Sequence, residues 1–123
     1  MVEDDKTAGR RPLEGIRVLD FSRVLAGPYC TALMADLGAE VIKVEPPAGD
    51  DYRHIGPFKD GESLLFQSVN RGKKSIVLDL KSEDGTAAAR ALAEECDVLV
   101  ENFRPGVMER FGLGAEKLCA ACP

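Results

Sequence analysis

The chain predicts an α/β fold, a parallel Rossmann-type sheet with flanking helices. Two observations carry that reading. Short apolar runs, at residues 16–20, 39–45, 75–80 and 97–101, alternate with segments of helical period. The stretch from Val18 to Glu45 runs strand, helix, strand at the spacing of a βαβ unit. The turn at residues 22–27 then lies at the carboxyl end of a parallel strand, where open α/β sheets bind ligands.

Each element has its own signal. Ile16, Val18 and Leu19 supply the first strand, and Asp20 marks its end. Gly27-Pro28 opens the first helix, because proline in a first turn forfeits no needed hydrogen bond. Cys30, Leu33, Met34 and Leu37 follow i, i+3, i+4, i+7 and form its expected buried face, with Gly38 closing it. Residues 39–45 are the second strand. Residues 46–62 hold three prolines and three glycines, which predicts a long exposed loop, functional or mobile. A short helix follows at 63–69, then a basic turn, NRGKKS, at 70–75. The third strand is SIVLDL, residues 75–80. Ser82 is the N-cap of a helix running to about residue 95, with Ala87, Ala91 and Leu92 facing inward. DVLVE, residues 97–101, is the fourth strand, and residues 107–111 and 115–121 are two short helices. Residues 1–12 read as a flexible tail. Residues 13–123 read as one Rossmann-type domain whose thin sheet suits a part of something larger.

The 123 residues are 45% hydrophobic and 30% charged, a globular composition rather than a disordered one. A formal charge of −5 disfavours nucleic acid as a partner. No apolar run approaches the roughly 18 residues of a membrane helix. The N-terminus, VEDDKTAGRRP, resembles neither a secretory signal nor a transit peptide. The expected compartment is the cytoplasm, with mitochondrion or peroxisome open for a eukaryote. Cys30 and Cys96 sit among apolar residues and read as small core hydrophobes. Cys119 and Cys122 form a CxxC far from any strand-to-helix junction and lack a second ligand pair. No metal site and no permanently bound cofactor are expected.

Three turns are expected to converge at one sheet edge: residues 24–27, Lys81, and Asn102-Phe103-Arg104. Arg71, Lys73, Lys74, Arg104 and Arg110 lie near them in sequence, which suits an anionic ligand such as a phosphate ester. The residues alone weigh that reading equally with a solvated basic face. Of a dinucleotide fingerprint only Gly27 is present, so Glu45 as a ribose-binding acid carries little weight. His54, the single histidine, reads as exposed, and Asp20, Asp36, Asp79 and Asp97 read as caps or solvated groups. No Ser-His-Asp order and no G-x-S-x-G occurs, and no catalytic residue is assigned.

Three segments together carry a resemblance: LEGIRVLDFSRVLAGPYCTALMADLGAEVIKVEPPAGDDYR, FQSVNRGKKSIVLDLKSEDG and DVLVENFRPGVMERFGLG. In this order they closely resemble the N-terminal segment of the family III CoA-transferases, the CaiB/BaiF family, over about residues 13–118. The resemblance implies that Leu25 and Ala26 contact coenzyme A. It places Leu78, Asp79, Leu80 and Lys81 beside the adenine and its ribose phosphate. It places Asn102, Phe103 and Arg104 under the nucleotide and pantetheine, and pairs Arg110 with a phosphate. Pro46 stands where the family carries an arginine, which puts one phosphate contact in question. The implied substrates are coenzyme A as an acyl-CoA and a carboxylic acid acceptor. The implied nucleophile is an aspartate beyond this stretch, passing through an anhydride and an enzyme thioester, in an interlocked homodimer. The chain taken alone is expected to be inactive. The α-methylacyl-CoA racemases resemble the same segment, although FQSVNRGKKS favours the transferases. A truncated, non-catalytic CoA-binding module remains a third reading.

Overall fold

Four parallel strands frame the molecule in a computed structural model that describes residues 9–123. In chain order the elements are β1 (Arg17–Asp20), α1 (Ala26–Asp36), β2 (Glu40–Glu45), a 3-10 turn (Asp51–His54), β3 (Phe58–Lys59), β4 (Glu62–Ser63) and α2 (Leu64–Asn70). They continue with β5 (Lys73–Val77), α3 (Glu83–Glu94), β6 (Val98–Val100), α4 (Val107–Arg110) and α5 (Ala115–Ala121). The main sheet runs β5-β2-β1-β6, parallel throughout, with Val18 level with Val41 on one side and Val98 on the other. The chain leaves β1 toward β2 and later crosses to β6 on the far side. The order therefore reverses between β1 and β6, and a crevice is expected at their carboxyl ends.

The sheet's two faces differ in chemistry. Leu19, Phe21 and Val44 point to one face and pack on Ala89 and Ala93 of α3, with Met108 and Leu113. Val18, Val41 and Ala39 point to the other and pack on Met34 and Ala35 of α1. Further toward the carboxyl ends, this second face turns polar. Asp20, Lys43 and Glu45 are all buried there.

That polar patch overturns the expected inner face of α1. Pro28, Thr31 and Ala32 are buried, whereas Cys30, Leu33 and Leu37 are exposed. The Thr31 hydroxyl donates to Asp20 at 2.6 Å. A buried carboxylate must find donors, and this need sets the helix's rotation against its apolar periodicity. Asp20 is thus neither a cap nor solvated. Cys30 is no core residue, and Cys96 is only half-buried.

Other expectations shift by smaller amounts. The third strand starts at Lys73 rather than 75 and ends at Val77, so two lysines of the expected basic turn are strand residues. Leu78 N–H donates to Glu45 O, the last rung, because Pro47, the next residue past Glu45 to face β5, offers no N–H. Residues 46–62 contain the 3-10 turn and the β3–β4 hairpin, with Asp50 fully buried. On α3 the inner positions are Gly85, Ala89 and Ala93, while Ala87 and Ala91 are exposed. Ser63 and Ser82 cap their helices as N-cap residues, accepting from Phe66 N and Gly85 N. Of the expected tail, residues 1–8 lie outside the described residues. Arg11 packs its Cβ against Gly38 beyond the end of α1.

Candidate functional site

The carboxyl-end turns are built on buried ion pairs. Asp20 accepts from Ser22 N–H at 2.9 Å, from Thr31 and from Lys73 Nζ at 3.0 Å. Lys43 Nζ lies 2.9 Å from Asp50 and donates to Ser22 O at the same distance. Arg53 grips Glu45 with two hydrogen bonds of 2.7 Å. Burial works to raise the Glu45 carboxyl, but donors from Arg53, Ser75 and Asp50 N outweigh it and hold it at about 2. Burial also pushes the Lys73 ammonium below its usual range, against the opposing pull of Asp20.

These pairs hold the turn of residues 22–27 in a costly shape. Val24 has φ +69°, a left-handed conformation rare for a β-branched residue and worth about 1–3 kcal/mol of strain. Its N–H points to the Asp50 carboxylate at 3.3 Å, which helps pin it. Gly27 is required by close approach, since a Cβ there would stand 2.2 Å from Ser22 Cβ. Asn102 then ties this turn to the end of β6. Its Oδ1 accepts from Arg23 N–H at 2.9 Å and its Nδ2 donates to Arg23 O at 2.8 Å.

A cavity of about 370 Å³ opens on the apolar face at the carboxyl ends of the strands. Phe21 and Val44 form its base, and Pro46, Pro47 and Ala48 one side. Leu78 to Lys81, beyond the neighbouring strand β5, line it as well, as do Phe103 and Phe111. Arg23 lines the same space, its guanidinium 4.8 Å from the Phe103 ring centre. The 78–81 segment is locked from behind. A Cβ at Gly85 would fall 1.8 Å from Asp79 O, so only glycine permits α3 to begin there. Asp79 in turn accepts from Lys81 N–H at 3.0 Å. A second depression adjoins the cavity, sharing Leu80, Lys81 and Phe111, and Arg110 lines it.

The expected site residues separate into groups. Leu78, Asp79, Leu80, Lys81 and Phe103 line the cavity, and Arg110 stands on the adjoining depression. Asn102 holds the joint beside them. Leu25, Ala26 and Arg104 are exposed and outside the lining, Leu25 at 52%. The five bases expected to cluster for an anion do not act together. Lys73 is buried on Asp20, Arg71 pairs with Asp36 and Lys74 with Glu40. Among the described residues Arg23, Lys81, Arg104 and Arg110 form no ion pair. Phe21, Arg23, Pro47, Ala48 and Phe111 were not expected at the site. Their common signal is position, each lying just beyond a strand's end or beside the last turns. His54 is exposed, with Nε2 2.8 Å from Ala48 O.

The arrangement offers an apolar cavity with aromatic side chains in its lining and two basic ones, Arg23 and Lys81, that form no ion pair among the described residues. Such a site suits a nucleotide with phosphate groups. No helix among the described residues is long and apolar enough to cross a membrane.

Comparison with known proteins gives this site a family. The acetyl-CoA:oxalate CoA-transferase of Acetobacter aceti is 47% identical over 124 residues, covering 100% of this chain and 32% of that protein. The succinyl-CoA:glutarate CoA-transferase of Mus musculus is 53% identical over 115 residues, covering 92% and 26%. A crystal structure of a CaiB/BaiF family protein from Brucella suis superposes with a TM-score of 0.88 at 43% identity, covering 93% of this chain and 32% of that one. The chain thus spans about a third of the length of such relatives. The family model for CoA-transferase family III matches residues 13–123, and the chain belongs to that family.

Proposed function

We propose that this chain forms the CoA-binding wall of a transferase that moves CoA from an acyl-CoA donor to a carboxylic acid acceptor. The observation that carries the reading is the largely apolar cavity at the strand ends, with Lys81 in its lining and Arg110 on the adjoining depression, neither in an ion pair among the described residues. Adenine fits the slot between the Pro46–Pro47 side and Phe103, and stacking on such surfaces is worth about 1–3 kcal/mol per base. Lys81 and Arg110 face the phosphates, the ligand a guanidinium fork or ammonium recognises. The named activities of the curated relatives, transfers from acetyl-CoA and succinyl-CoA to dicarboxylates, point the same way.

The chemistry is covalent catalysis by a carboxylate. An aspartate attacks the thioester carbonyl, CoA thiolate leaves, and a mixed anhydride forms. The thiolate then attacks the aspartyl carbonyl, releases the donor acid and leaves an enzyme thioester. The acceptor carboxylate repeats the exchange and departs as the new thioester. Within residues 9–123 the carboxylates Asp20, Glu45 and Asp50 are buried and taken up by ion pairs, so a thioester carbonyl does not reach them. We therefore assign the nucleophile to the whole protein outside this stretch, and the domain at residues 13–123 to nucleotide binding.

Calorimetry with CoA and with pantetheine tests the binding role. CoA is expected to bind and pantetheine to bind at least about tenfold more weakly, since it lacks the ring and phosphates that the cavity takes. Equal affinity for the two would overturn the reading. The 123 residues alone are expected to exchange no CoA between succinyl-CoA and a dicarboxylate.

A further inference from the structure

We infer that Arg23 is a phosphate-binding residue of this site, reaching the nucleotide from the end of β1, while Lys81 lies beyond β5; this rests on the proposed CoA site. Four observations converge. Arg23 lines the cavity itself. Its Nε is buried and has no hydrogen-bond partner among the described residues. Its guanidinium makes no ion pair there. Its guanidinium rests on Phe103, 4.8 Å from the ring centre.

A buried guanidinium donor without an acceptor is costly, because the group has given up water and received nothing in return. The other guanidinium donor in the same condition, Arg90 Nε, belongs to a residue whose Nη2 reaches Gly112 O and which does not line this cavity. Arg23 is held ready at some expense. Its backbone N–H and C=O are both bound by the Asn102 amide, so its Cα is fixed at the β1–β6 joint. Phe103 then stacks the side chain, which limits the rotamer entropy lost on binding. A guanidinium so placed offers planar donors, the geometry that matches two oxygens of one phosphate. The base of the cavity is apolar, so the anion's charge meets Arg23 in a poorly screened setting. The side that carries Pro46 and Pro47 offers no donor from those two residues. Of the cavity's two basic lining residues, Arg23 is the one that follows β1; Lys81 lies beyond β5.

The test uses the protein with R23Q and R23K, titrated with CoA, 3′-dephospho-CoA and pantetheine. Both substitutions leave the Asn102 bonds intact, because those bonds use backbone atoms of residue 23. R23Q is expected to weaken CoA about ten- to a hundred-fold, the range for a hydrogen bond to a charged group, and to leave pantetheine unchanged. R23K keeps the charge and loses the fork, so its loss is expected to be smaller. If R23Q binds 3′-dephospho-CoA as well as the parent does, Arg23 holds the 3′-phosphate; if that loss persists, it holds the pyrophosphate. Either result supports the inference. Unchanged CoA affinity in R23Q overturns it, as does an equal loss for CoA and pantetheine. Should R23Q melt well below the parent, R23K decides by the same readings. If the parent binds CoA no better than pantetheine, the proposed site itself falls, which is a different result from an indifferent Arg23.

Discussion

The two faces of one sheet do different work. On the α3 face Leu19, Phe21, Val44 and their neighbours are apolar to the strand ends, and the cavity opens where that surface runs out. On the α1 face the same strands change from Val18 and Val41 to Asp20, Lys43 and Glu45, sealed by ion pairs. Cations follow the same division. Lys43, Lys73 and Arg53 are consumed in holding turns, while Arg23, Lys81 and Arg110 stand on the cavity side without ion-pair partners among the described residues. A basic residue near a strand end is therefore no sign of a ligand until its face is known.

Three measurements press on this division. The largest effect is expected from Lys73→Met, which leaves Asp20 charged and buried beside Ser22 and Thr31. Removing one partner of a buried pair costs about 3–5 kcal/mol, read from urea unfolding. A loss under about 1 kcal/mol would mean that the α1 face tolerates unpaired charge, and the contrast between faces would fail.

Acid should find the same face next. The Glu45 carboxyl sits at about 2 in the fold against 4.5 ordinarily, so the unfolded chain binds this proton more readily. Its contribution is complete above about pH 4.5 and is lost as pH falls toward 2. Glu45→Gln is expected to flatten the stability profile across that window in thermal melts at stepped pH. An unchanged slope would show that another carboxylate governs it.

On the cavity side the sign of the result reverses. Arg110→Ala is expected to weaken CoA binding by about 1.5–3 kcal/mol while the melting temperature stays put. Arg104→Ala should cost less, since Arg104 is exposed and outside the cavity lining. Unchanged affinity with a lower melting temperature would move Arg110 into the structural set and blur the division.

How much of this was legible in the sequence depends on the range of the signal. The βαβ unit and the Ser82 cap rest on neighbours a few residues apart, and α3 starts where expected. The face of α1 was misread because its rotation is decided by Asp20, eleven positions before Thr31 and on another element. Lys73 was read as part of a basic turn, since its partner lies 53 residues away. The resemblance supplied Leu78 to Lys81 and Phe103, which line the cavity, and Leu25 and Ala26, which do not. Arg23 and Phe111 escaped because nothing local separates a cavity base or ring from an exposed one.

Asn102 joins the two turns at the mouth with a neutral amide, giving one hydrogen bond and taking one. Such a rivet carries no net charge and does not titrate. The tie between the β1 and β6 turns therefore does not itself depend on the pH at which Glu45 takes up its proton. Acid that releases Arg53 from Glu45 leaves both hydrogen bonds of this tie in place.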